Sequence, residues 1–214
     1  MPIIFFSRDS EFCRKMRTHG FEVHDELIEY YKPKRKTYYV SPANSLCSMG
    51  NGIDYSLSRN IMPNIETNVK QMLNIYGKTN LAGTKYLPIG SSFILDYDKY
   101  KSLIIAPTML LPQNISKTNN VYYTTMSIMY NLLINRQENI DDVDVILTSF
   151  GCGFGKLSPD NAVSQIIQGL QNFNNYIPEY IDTDVIICEP NLQEQPKYQQ
   201  NSEWFHIQPN EIIR

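Results

Sequence analysis

An apolar, strand-like run, Thr37-Tyr38-Tyr39-Val40, leads directly into Ser41-Pro42-Ala43-Asn44-Ser45-Leu46-Cys47-Ser48-Met49-Gly50-Asn51-Gly52-Ile53-Asp54, and a helix-like segment follows. Far along the chain the pattern returns. Val143-Asp144-Val145-Ile146-Leu147-Thr148 runs into Ser149-Phe150-Gly151-Cys152-Gly153-Phe154-Gly155-Lys156, with a helical segment over 158–173 behind it. Two strand–glycine loop–helix units restrict the chain to an α/β architecture, in which ligands sit at the carboxyl ends of strands. Glycines there let backbone N–H groups come close to a ligand. The helix start behind the first loop favours an anion. Two such loops side by side can clasp a diphosphate.

The rest of the pattern fits. Segments 3–7, 21–24, 38–41, 91–95, 102–106, 143–148 and 184–188 read as strands, and 10–17, 53–61, 65–76, 120–134 and 158–173 as helices. Ile65, Val69, Met72, Leu73 and Tyr76 recur at helical spacing and stop before Gly77. Asp9 is a candidate cap for the first helix, and Ser158 for the last, with Pro159 at its first position. Segment 27–31 has no clear period. Strands alternating with helices predict a mixed, largely parallel sheet. The expected division is one domain over 1–190 and a polar, Gln-rich tail over 191–214. Within the tail Trp204 and Phe205 would suit a partner surface.

Composition excludes several classes. The chain has 214 residues, 42% hydrophobic and 19% charged, with a formal charge of −3, which is ordinary for one globular domain. No basic patch stands out beyond Lys32-Pro33-Lys34-Arg35-Lys36, read as a solvated loop, so no nucleic-acid partner is expected. No apolar stretch approaches the roughly 20 residues of a membrane span. Cys13, Cys47, Cys152 and Cys188 show no CxxC spacing, and with three histidines no metal site is expected. A reduced, cytoplasmic location is the expectation. No GxGxxG opens the first strand–helix unit, which argues against a dinucleotide-binding dehydrogenase.

The two loops resemble those of the macro domain family. Its first ligand loop reads Asn-Ala-Ala-Asn, a spacer, a glycine run, a small apolar residue and Asp. Ser41-Pro42-Ala43-Asn44 and Gly50-Asn51-Gly52-Ile53-Asp54 are similar, with Ser41-Pro42 in place of the first Asn-Ala and Asn51 interrupting the glycines. Gly151-Cys152-Gly153-Phe154-Gly155 resembles the second loop. The resemblance implies a three-layer α/β/α sandwich around a mixed, largely parallel sheet. It implies ADP-ribose as the ligand, free or on a modified target, and no cofactor.

Each candidate residue carries two readings. Asn44 is either a turn residue bonding its own backbone or, as the resemblance implies, a ligand for the distal ribose. Asp54 is either a first-turn carboxylate or, as the resemblance implies, a general base that positions or activates water near the anomeric carbon. Ala43, Gly50, Asn51, Gly52, Ile53, Ser149, Gly151, Cys152, Gly153 and Gly155 would form the diphosphate loops, a backbone nest that needs no Lys or Arg. Phe154 is either a core residue or one that stacks on a ribose or shields the cleft. After the second strand the adenine reader is Asp25 if His24 replaces the family's Gly, or Glu26 if Leu27 matches its Ile. Three functions follow: a hydrolase (ADP-ribosyl glycohydrolase or ADP-ribose-1''-phosphate phosphatase), a reader of ADP-ribose without turnover, and an interaction protein that keeps the fold without the ligand.

Overall fold

The structure is a computed structural model that describes residues 2–135, 139 and 142–175. The strand expected over 184–188 and the tail over 191–214 lie outside the described residues.

Six strands form the main sheet: β1 (Ile3–Phe6), β2 (Glu22–His24), β3 (Lys36–Ser41), β6 (Phe93–Asp96), β7 (Lys101–Ile105) and β8 (Val143–Thr148). Their order is β2-β1-β8-β3-β7-β6, parallel throughout except for the antiparallel pair β6–β7. From β1 the chain steps outward to β2, then crosses to β3, with β8 filling the gap. A doubly wound sheet opens a crevice at such a reversal.

Alternation along the strands feeds two cores. Phe5, Tyr38, Val40, Val145 and Leu147 face one layer, built by α1 (Ser10–Thr18), α4 (Asn120–Tyr130) and α5 (Pro159–Asn172). Ile4, Phe6, Tyr39 and Ile146 face the other, where α3 (Ile65–Tyr76) contributes Ile65, Val69 and Leu73. This is the period-2 pattern of a sheet buried on both faces. Each fully buried large apolar side chain contributes about 1.5–3 kcal/mol. The three-layer α/β/α sandwich implied by the sequence is the observed fold. Among the described residues, no helix is long and apolar enough to cross a membrane.

Helix ends follow local chemistry. Asp9 Oδ1 accepts from the Phe12 amide at 2.9 Å, and Lys15 and Arg17 occupy the last turn of α1. Ser158 Oγ accepts from the Asn161 amide at 3.3 Å with Pro159 behind it. The helix expected over 53–61 is a short α2 (Gly52–Ser56) that widens into a π-turn over Leu57–Ile61. Segment 27–31 contains a single 3₁₀ turn, Ile28–Tyr30. A small hairpin of β4 (Lys78–Thr79) and β5 (Lys85–Tyr86) was not expected, because two-residue strands are too short to leave a period.

Gly169 lets α5 lie close against α4: a Cβ there would sit 2.6 Å from Thr125 Cβ and 2.8 Å from the Tyr122 carbonyl. Gly169→Ala should therefore destabilise the protein by about 1–3 kcal/mol, the usual cost of overpacking. Urea denaturation checks this; an unchanged midpoint would show that the two helices part freely.

Candidate functional site

A cleft of about 580 Å³ lies over the carboxyl ends of all five parallel strands. Phe6 ends β1 and Ser7 and Arg8 follow it, Glu26 to Glu29 follow β2, and residues between Pro42 and Asp54 supply much of the floor after β3. Met109, Leu111 and Pro112 come from beyond β7, and Thr148 to Gly155 from β8. The two glycine loops are thus neighbours, because β3 and β8 are adjacent strands.

The second loop is held by its own backbone. Cys152 N donates to Ser149 O, Lys156 N to Gly153 O and Leu157 N to Gly151 O, while Ile115 N donates to Gly155 O. Gly151 adopts φ +76, and a Cβ on Gly155 would meet the Gly151 carbonyl oxygen at 2.4 Å. Both positions therefore require glycine. Among the described residues, the N–H groups of Gly151, Gly153, Phe154 and Gly155 donate to no protein acceptor. Across the cleft, Asn51 gives α2 no side-chain cap, so the first N–H groups of that helix are also without partners. These donors lie on two loops that line the same cleft.

Asn44 makes the turn contact: its Oδ1 accepts from the Leu46 amide at 3.0 Å, and the residue also lines the cleft.

Asp54 also lines the cleft. Its Oδ1 accepts from the hydroxyl of Ser41, which lies wholly buried at the end of β3, at 2.6 Å. Burial pushes the Asp54 carboxyl up to about 7, and the Ser41 hydrogen bond opposes that rise. At neutral pH the carboxyl is thus divided between its two forms, which suits exchange of a proton. The sequence reading needed an ionised carboxylate at this pH, and burial disfavours that form.

Asn51, Gly52, Ile53, Ser149, Gly151, Gly153, Phe154 and Gly155 all line the cleft, and Phe154 is 63% exposed. Ser149 Oγ accepts from Ser7 Oγ at 3.0 Å, tying the second loop to the end of β1. Ala43, Gly50 and Cys152 are not among the lining residues: Ala43 is buried beneath the floor, and burial pushes the Cys152 thiol up to about 12, which leaves it no thiolate. After β2 it is Glu26, not Asp25, that lines the cleft. His24 stacks on Phe6 at 4.7 Å.

Two lining residues were missed from sequence. Arg8 supplies the cleft's basic side chain, and no ion pair engages it among the described residues. Nothing marked it, since a lone Arg after a strand is commonplace. Glu29 also faces the cleft; burial disfavours its charge, but hydrogen bonds from Ser56, its own amide and Asn60 outweigh this and hold it below the ordinary carboxylate value.

No protein-family model and no curated protein matches the chain. Among solved structures it is similar to the macrodomain of Mycobacterium tuberculosis DarG, with 18% identity over 70% of this chain and 88% of that one and a TM-score of 0.51. It is also similar to an Oceanobacillus iheyensis macrodomain with MES bound, at 15% identity over 66% of this chain and 71% of that one and a TM-score of 0.50. The mixed, largely parallel six-stranded sheet between helical layers is consistent with that likeness: the fold of this chain is the macrodomain fold.

Proposed function

We propose that the cleft binds ADP-ribose, free or attached to a modified target, and that Asp54 and Asn44 equip it to hydrolyse an ADP-ribosyl linkage. The observation that carries this reading is the set of unused backbone N–H groups converging from the two glycine loops. Their partial positive charge suits the oxygens of a diphosphate. Asn44 Nδ2 would then donate to the distal ribose and Phe154 would cover it. Glu26, at the mouth beyond β2, would accept from the adenine amino group. An ionised Asp54 would hold water at the anomeric carbon and take its proton as the water oxygen bonds to that carbon, while the target leaves with the bonding electron pair and is protonated by solvent. Orientation and fixed dipoles would supply most of the rate.

A thermal-shift titration tests binding. ADP-ribose at a hundred times Kd should stabilise the protein by about 2.7 kcal/mol. No shift would move the weight to an interaction role without ligand.

A reader without turnover is the second reading, favoured by the partly protonated Asp54. Asp54→Ala separates the two: a hydrolase keeps binding and loses release of ADP-ribose, whereas a reader has no release to lose. If Asp54 is the base, release should rise with pH through about 7 and level off above it, since the ionised form is the active one. A flat profile would remove Asp54 from that role.

Arg8 gives a further prediction. A cation beside a bound diphosphate should strengthen binding and make it sensitive to salt. Arg8→Ala should weaken ADP-ribose binding about tenfold and flatten its salt dependence. Calorimetry at low and high salt reads both; an unchanged Kd would leave the nest as the sole phosphate holder.

A further inference from the structure

We infer that Ser41 is a positioning residue, whose hydroxyl fixes Asp54 Oδ1 and leaves Oδ2 as the oxygen that meets water or ligand. This rests on the proposed function for its consequence, and on geometry alone for the contact.

Ser41 is anchored by its backbone. It is the last residue of β3, paired with Ile105, and its carbonyl accepts from the Ala106 amide at 3.0 Å. Pro42 follows and fixes the exit of the chain. The side chain is 0% exposed, so its hydroxyl proton must find a protein acceptor, and Asp54 Oδ1 at 2.6 Å is that acceptor. Asp54, by contrast, stands on a five-residue helix whose start carries no side-chain cap. Without the serine, nothing in the described residues fixes its carboxyl rotation.

The bond also joins the two ends of the first ligand loop. Residues 42–53 lie between the partners, so the contact that orients the carboxyl closes the loop that presents Asn44. No charged side chain acts on Asp54 among the described residues. The titratable neighbour that feels its charge is the buried Cys47 thiol, which burial keeps protonated.

The test is the titration of Asp54 itself, followed by carboxyl-carbon NMR with Asp54→Asn for assignment. The native midpoint is expected near 7. Ser41→Ala should raise it by about one unit, because a charge-assisted hydrogen bond to the ionised form is lost. Ser41→Thr, which keeps the hydroxyl, should restore it. Turnover should follow: in Ser41→Ala, kcat falls about tenfold with KM unchanged, as expected for a group that orients the reacting carboxyl. An unmoved midpoint in folded Ser41→Ala would overturn the inference. If that variant does not fold, Ser41→Cys preserves the volume with a weaker donor and must show a smaller shift of the same sign; no shift there would equally overturn it. The midpoint is read without ligand. A native chain that fails to bind ADP-ribose therefore refutes the proposed function and leaves the Ser41 result to stand or fall separately.

Discussion

Replacing Asp54 with Asn should raise the melting temperature by about 5 °C near pH 8 and by almost nothing near pH 4. The folded protein holds the Asp54 proton up to about 7, whereas an ordinary Asp releases it near 3.8. Between these values the folded state binds more protons than the unfolded one, so this group lowers stability as pH rises through that window. Below it the group costs nothing, and above it the full penalty applies. A gap of about three units sets a ceiling of about 4 kcal/mol. Asp54 is partly exposed, and Asn must also be buried, so about half of that is expected in the comparison. At 2–4 °C per kcal/mol for a chain of this size, the gain is about 5 °C. Asn keeps an oxygen for the Ser41 hydroxyl, so the contact survives. Scanning calorimetry from about pH 4 to pH 8 reads the difference. A gain independent of pH would mean that burial does not hold the carboxyl's proton.

Gly153→Glu should abolish ADP-ribose binding, weakening it at least about a hundredfold, while leaving the fold intact. The position is exposed, its backbone is not left-handed, and an added Cβ meets nothing within 4 Å. A side chain there costs the protein little. It costs the ligand much, because it puts a carboxylate and its bulk among the N–H groups proposed to hold the diphosphate. Gly155 gives no such test: its Cβ would strike the Gly151 carbonyl at 2.4 Å, so lost binding there would report a broken loop. Circular dichroism and melting of the Gly153 variant should match the native chain. Undiminished binding would place the phosphates elsewhere.

These effects concentrate on positions that the sequence marks unevenly. The two glycine loops were readable because they follow strands whose apolar runs are continuous, and Gly151 and Gly155 bear the steric constraints that make glycine necessary. The α/β class was readable because strands alternate with helices, and the resemblance implied the sandwich; in the structure the consecutive β3 residues Tyr38 and Tyr39 go to opposite cores. Ser41 was read as a departure from the family pattern. Its role as partner of Asp54 depends on a contact across 13 positions that no local pattern encodes. Arg8 and Glu29 enter the cleft because β1 lies beside β8 and β2 beside β1, which is a matter of sheet order. Asp25 and Glu26 share one strand exit, and which one faces the cleft is set by the direction of the chain as it leaves β2.

The most direct measurement is calorimetric titration of the native chain with ADP-ribose, run beside Gly153→Glu. Saturable binding of one ligand per chain, lost in the variant, is the predicted result. Absence of binding to a native chain that melts cooperatively would contradict the assignment of the cleft to ADP-ribose.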